Sequence, residues 1–157
     1  MTARLLQQLV YDAPVTAVHD MLLDPAFRKQ VMADQHVLRG SARVDGSVVT
    51  VDRVMASHGL PSFATKVVGH EIEIVQVETW TSEDHADVEI TIPGKPGEIR
   101  GTIDLHERDG RTVERIDLTV HVRIPLVGSR IEALVEDMLE KALDREEETG
   151  TRWLSPG

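Results

Sequence analysis

A cation on an apolar strand face is the residue placement in this chain with the most chemical content. Val49, Val51, Arg53 and Met55 alternate along one run and share a face. An unpaired charge among aliphatic side chains is costly, and is retained only with a partner or a bound anion. A bulge or a rim position would return Arg53 to water, the commoner outcome for a long cationic side chain. Inside a cavity, Arg53 would anchor a carboxylate or another polar head. Glu78 and Trp80 are the second candidate. They share a face with Ile72, Ile74 and Gln76 in the run Glu71 to Thr81, so a regular strand would turn a carboxylate and an indole inward. Desolvation would raise the pKa of such a carboxylate and suit it to general acid or base work. A four-residue loop from Ser82 to His85 gives another register, Val77 with Ile90 and Val75 with Ile92. That register turns Glu78 outward and needs a bulge near Ile74 or Val75. Both registers stay open, with the balance slightly toward a solvent-facing Glu78; Trp80 reads as packing before recognition.

Other chemistry has little support. The seven histidines include His70-Glu-Ile-Glu-Ile74, which lacks the second His of a zinc-protease helix and falls on a strand, so no metal site is expected. Gly128-Ser129 does not complete a nucleophile elbow, and the chain has no cysteine to act as nucleophile or thiolate ligand. No motif calls for a cofactor. A net charge of -10 and a pI near 5.1 disfavour nucleic acid and anionic membranes as partners. The first ten residues lack a signal-peptide core and no apolar run could span a bilayer, so a soluble cytoplasmic protein without stable membrane insertion is expected. Aromatic residues are only 3% of the chain against 41% hydrophobic, which makes any interior aliphatic.

The elements that must position these residues can be read from turns and periodicity. Asp109-Gly110 is a strong hairpin signal. Pairing outward from it sets Ile99 against Val120, Gly101 against Leu118 and Ile103 against Ile116 on an apolar face. The other face pairs Glu98 with His121, Arg100 with Thr119, Thr102 with Asp117 and Asp104 with Arg115. Gly101 in the middle of the inner face marks either a close backbone approach or room for a ligand. Asp45-Gly46 gives a second hairpin, with Ala42 opposite Val49 and Gly40 opposite Val51. A first strand covers Arg4 to Tyr11. Asp12-Ala-Pro14, with Pro14 in the first turn, and Asp24-Pro25 then open two short helices. The stretch Ser57 to Gly69 holds a helical turn with Phe63 and Val67 on one side and Gly69 as its C-terminal cap, a candidate lid. Strands at Glu71–Thr81 and Ala86–Ile92 bring the total to seven. A last helix from Ser129 to Trp153, opened by a Ser129/Glu132 capping box, would be roughly 37 Å long. Its inner stripe is Ile131, Leu134, Val135, Met138, Leu139 and Ala142, and Glu132, Glu136 and Glu140 form a solvated ridge.

This order, together with Tyr11-Asp-Ala-Pro14, Glu78-Thr-Trp80, Pro93-Gly-Lys-Pro96 and Ile124-Pro-Leu-Val-Gly128, resembles the START-like, or Bet v 1-like (SRPBCC), superfamily. Within it the chain is similar to an actinobacterial branch known only as a domain of unknown function. The resemblance covers residues 1–157 and implies an α+β helix-grip fold: a seven-stranded curved antiparallel sheet wrapped around a long C-terminal helix, as one domain. It also implies a cavity for apolar molecules such as lipids, isoprenoids or polyketides. The leading expectation is a non-enzymatic carrier of a mainly aliphatic ligand. Its cavity would be lined by Val51, Met55, Ile90, Ile103, Leu118, Val120, Val135 and Met138, with Arg53 orienting a polar end and Glu78, Trp80 and Gly101 as further contacts. A cyclase- or hydrolase-type enzyme using Glu78 and an interaction module with a filled core are the alternatives. Ligand identity and oligomeric state are not legible in the sequence.

Overall fold

The hairpin centred on Asp109-Gly110 takes the register its alternation predicts, and the remaining sheet builds outward from it. Both turn residues have positive φ, 55° and 78°, as a two-residue turn matched to strand twist requires. The computed structural model describes residues 2–156. In chain order the elements are β1 (Thr2–Tyr11), α1 (Val15–Leu22), α2 (Pro25–Asp34), β2 (Arg39–Asp45), β3 (Val48–Ala56) and α3 (Ser62–Val68). There follow β4 (Glu71–Ser82), β5 (His85–Thr91), β6 (Gly97–Arg108), β7 (Arg111–Val122) and α4 (Gly128–Leu154). The strands form one antiparallel sheet in the order β1-β7-β6-β5-β4-β3-β2, and α4 lies against it, packed chiefly on β1 and β7.

Local chemistry accounts for most boundaries. Asp24 caps α2 by accepting from the Ala26 N–H at 2.9 Å. Pro14 sits at the N-cap of α1 and not inside its first turn. The long helix starts one residue earlier than the Ser129 capping box predicts, after Val127 and with no side-chain cap. Glu132 is instead buried and accepts the Val122 N–H at 2.8 Å, so it is not part of a solvated ridge. In the β2–β3 hairpin the turn is Gly46-Ser47, with Asp45 opposite Val48. Ala42 therefore faces Val51 and Gly40 faces Arg53, two residues from the expected register. Gly46 alone supplies the positive φ, 61°; because the slip is even, every side chain keeps its predicted face.

The interior is unevenly filled. Tyr11, Val18, Leu22 and Phe27 are fully buried where α1, α2 and the C-terminal half of α4 close on the sheet. There Trp153 packs edge-on to Phe27 at 5.6 Å, and Asp34 accepts from Thr149 at 2.6 Å and Arg152 at 2.5 Å. Toward its N-terminus, Leu134, Val135, Met138 and Leu139 of α4 are only half-buried, because they face open space. Gly101 belongs to neither region. A Cβ there would overlap the Asp117 carbonyl, so the glycine serves close approach of β6 to β7 and not room for a ligand. Gly101→Val should cost more than about 2 kcal/mol, visible as a lower denaturation midpoint in urea.

Candidate functional site

Two chambers lie between sheet and α4, meeting at Arg53, Ile90, Leu139 and Ala142. The outer chamber is almost wholly aliphatic. Met55, Ile72, Ile74, Ile99 and Val122 from the sheet, Leu60, Ala64, Val67 and Val68 from the α3 segment, and Ile131, Leu134, Val135 and Met138 from α4 form its walls. The inner chamber carries an apolar ring that includes Val31, Val51, Ile103, Ile116 and Leu118, and a set of polar groups absent from the outer one: Arg28, Gln35, Gln76, Glu78, Glu114 and Glu146. Their cavity volumes are about 50 Å³ (inner) and 120 Å³ (outer).

The placement of Glu78 settles the register question. Gln76 pairs with Ile90, Glu78 with Val88 and Trp80 with Ala86, and the irregularity falls between Trp80 and Ser82, beyond the site. Glu78 therefore points inward and is 1% exposed. Its Oε1 accepts from Arg28 Nη2 at 2.7 Å and Trp80 Nε1 at 3.2 Å, and its Oε2 accepts from Gln76 Nε2 at 2.6 Å. Arg28, also buried, donates from Nε to the Leu22 carbonyl at 2.8 Å and holds Nη1 4.0 Å from Glu146. Gln76 continues the relay, its Oε1 lying 3.4 Å from Arg53 Nη2. Glu78 is thus paired with Arg28, and Gln76 stands between it and Arg53.

Arg53 does stay inside, at the junction of the chambers, and makes no ion pair among the described residues. Burial lowers its pKa from the ordinary arginine value; Glu146 and Glu78 oppose this and Arg28 adds to it. Burial raises Glu146, with Glu78 adding and Arg28 and Arg53 opposing. Burial also drives Glu114 well above the usual carboxylate range, reinforced by Glu146 and Glu78. Buried Tyr11 is shifted upward chiefly by burial and then by Glu114. The Tyr11 hydroxyl and Glu114 Oε1 are buried without a hydrogen-bond partner.

Of the residues expected to line the cavity, Val51, Arg53, Met55, Glu78, Ile90, Ile103, Leu118, Val135 and Met138 do so. Val120 instead faces a small separate cleft, and Trp80 is packed against His19 with its N–H committed to Glu78, lining neither chamber. Gly101 opens on the outer side of the sheet. Sequence reasoning missed Arg28, Glu114 and Glu146, although two carried a signal. Glu114 continues the inner alternation Val120, Leu118, Ile116, and Glu146 continues the α4 stripe one turn past Ala142. Arg28 lies beside Phe27 on the buried side of a short helix, where a charge is least expected.

The candidate lid segment is a helix flanked by Gly59 and Gly69, with φ of 89° and 82°. Its one ring contact to α4 sets the Arg130 guanidinium 4.0 Å above Phe63. Among the described residues, no helix is long and apolar enough to cross a membrane.

An open antiparallel sheet gripping one long helix around an aliphatic cavity is the helix-grip fold, shared with Ara h 8.0201 and norcoclaurine synthase. Within it, the chain belongs to the family described as "Protein of unknown function (DUF2505)", matched over residues 7–154. An uncharacterized protein of Mycobacterium tuberculosis is 24% identical over 161 residues, covering 92% of each chain. The fold is shared with a Thermus thermophilus protein at TM-score 0.70 and 17% identity, covering 98% of this chain and 100% of that one. Norcoclaurine synthase from Thalictrum flavum, solved with dopamine and hydroxybenzaldehyde, gives TM-score 0.67 at 17% identity, covering 99% and 90%. The di-domain aromatase/cyclase StfQ of the steffimycin pathway gives 0.71 at 10%, covering 97% of this chain and 50% of that one.

Two stability effects follow from this cluster. Glu78→Leu strands the buried Arg28 charge and should cost about 3–5 kcal/mol, measured by urea denaturation. Glu114 binds its proton more tightly folded than unfolded, so this group makes stability fall as pH rises above its ordinary value of 4.5. Glu114→Gln should therefore give a shallower decline as pH rises above 4.5, read from unfolding midpoints across pH.

Proposed function

We propose that the protein binds and carries a mainly aliphatic small molecule with an acidic end, in the cytoplasm, with its chain in the outer chamber and its head at Arg53. The observation that carries this reading is Arg53 itself. It is a permanent cation at the boundary between an aliphatic chamber and a polar one, with no ion pair among the described residues and only a 3.4 Å side-chain contact to Gln76. A ligand anion would supply the missing counter-charge, while affinity would come from apolar burial at roughly 25 cal/mol per Å² before association costs. The fold neighbours, which include aromatase/cyclases and norcoclaurine synthase, support a cavity for hydrophobic molecules.

We place carriage ahead of catalysis by Glu78 because both Glu78 oxygens are already occupied by donors from Arg28, Trp80 and Gln76. Three of its roughly four acceptor sites are filled by the protein, and protonating it would break the relay that holds Arg28. Glu78 is a counter-ion in this reading.

Dodecanoate and dodecanol serve as matched probes. Arg53→Met should weaken dodecanoate by roughly 30-fold, the effect of about 2 kcal/mol for a desolvated charge contact, and change dodecanol by less than about threefold, as followed by calorimetry. Equal losses for the two would remove the head-group role. Entry past α3 gives a kinetic expectation: Phe63→Ala breaks the contact to Arg130 and should raise the probe off-rate by about two- to fivefold, given 0.5–1 kcal/mol for an exposed cation–π pair, as seen in stopped-flow displacement.

A further inference from the structure

Three segments wall the outer chamber and contribute nothing to the inner one: residues 57–69 around α3, 92–97 between β5 and β6, and 123–131 from β7 into α4. They touch one another, the Arg123 N–H donating to the Pro96 carbonyl at 2.9 Å and the Arg130 guanidinium lying over Phe63. Together these 28 residues hold Lys66, Lys95, Arg123 and Arg130, all exposed, and no Asp or Glu, whereas the other 129 residues carry a net charge of -14. Among the described residues Lys66, Lys95 and Arg130 make no ion pair, and Arg123 has only Glu98, at 3.8 Å, which also pairs with Arg100 at 3.2 Å. The overall charge of -10 conceals this end of the molecule, because salt screens charges more than about 10 Å apart and leaves the local ones to act. Leu126 projects from the third segment fully exposed, with φ of 72°, a backbone conformation uncommon for a residue other than glycine. Pro125 beside it is exposed as well. A fully solvated leucine among unpaired cations matches a surface that is negative outside and apolar beneath.

We propose that these three segments dock the protein on a bilayer with anionic headgroups, the four cations meeting lipid phosphates while Leu126 enters the acyl boundary. An acidic protein would satisfy the cations but gives a lone protruding leucine little to enter. The acidic remainder of the chain is repelled by the same bilayer, so the charge asymmetry sets the orientation and turns the outer chamber toward the lipid. Attachment of this kind is peripheral and salt-sensitive, and needs no membrane-spanning helix. It also bears on α3: lipid phosphate competes with the Phe63 ring for the Arg130 guanidinium, so contact with the bilayer loosens α3 from α4 beside the chamber. The proposal goes beyond carriage, since it concerns where the chamber exchanges its contents, and it does not depend on what the chamber holds.

Vesicle flotation tests this with two compositions, phosphatidylcholine alone and phosphatidylcholine with one-third phosphatidylglycerol. The wild-type chain should float with the anionic vesicles and not with the neutral ones, and raised salt should release it. Lys95→Gln combined with Arg130→Gln should weaken partitioning roughly 25-fold, about fivefold for each cation removed. Arg43→Gln combined with Arg108→Gln makes the same charge change at exposed positions outside the three segments, and should stay within about twofold of wild type. Because the chain has no cysteine, Leu126→Cys accepts a single environment-sensitive fluorophore, whose emission should shift to the blue on anionic vesicles alone. No preference for anionic vesicles, equal losses from the two double variants, or an unshifted fluorophore overturns the proposal. Capture by soluble polyglutamate as tight as by vesicles, with the fluorophore unshifted, also overturns it and assigns the surface to an acidic protein. All the substitutions are at exposed sites and no ligand is added, so failure here leaves the head-group role of Arg53 to its own test with dodecanoate and dodecanol.

Discussion

The ion pair between Arg28 and Glu78 is the constraint around which the inner end of the molecule is organised. Two charges taken out of water are tolerable only if their remaining hydrogen-bonding capacity is met. Here the Leu22 carbonyl, the Trp80 indole and the Gln76 amide meet it. Those partners come from the end of α1 and from β4, while Arg28 itself rides on α2. Satisfying one pair therefore fixes how the two short helices sit on the sheet. It also fixes the side chain of Gln76, which is the bridge from this pair to Arg53.

The consequence is a division of labour among like residues. Of two arginines in the interior, one is ion-paired to Glu78 and serves the fold, and the other is left with a single long contact at the chamber junction. The glutamates divide similarly: Glu78 has three donors, Glu146 faces Arg28 at 4.0 Å, and Glu114 Oε1 has no partner. Residue type alone does not distinguish these roles. What does is how many donors and acceptors each finds, which depends on contacts between segments 50 and 118 positions apart in the chain.

That dependence explains what could be read from the sequence. Period-2 alternation and paired turn residues carry the hairpin from Gly97 to Val122 without reference to anything else, so its register is recovered pair by pair. At the β2–β3 turn both Asp45-Gly46 and Gly46-Ser47 are plausible two-residue turns, and the sequence pattern tolerates an even slip, so the faces were legible and the exact partners were not. For Glu78 a polar loop suggested a displaced register. The actual irregularity sits at Trp80–Ser82, where it leaves the inward parity of Gln76, Glu78 and Trp80 intact. Arg28 was illegible for a different reason: its partner lies on another element, and nothing local marks a charge on a buried helix side as paired. Glu114 and Glu146, by contrast, extend periodic patterns that were already in view.

The half-filled interior has a further meaning for how the protein persists. One end of α4 is clamped by Asp34, Thr149, Arg152 and the Phe27–Trp153 contact, while the other spans space that no side chain occupies. A molecule seated there supplies the apolar contacts that a completed core would otherwise provide, and stabilises the folded state by mass action. The unoccupied chain is correspondingly the form most open to proteolysis. If the proposed ligand fills that space, its supply would set part of the protein's lifetime, and the amount of protein would track the amount of ligand without any dedicated regulator.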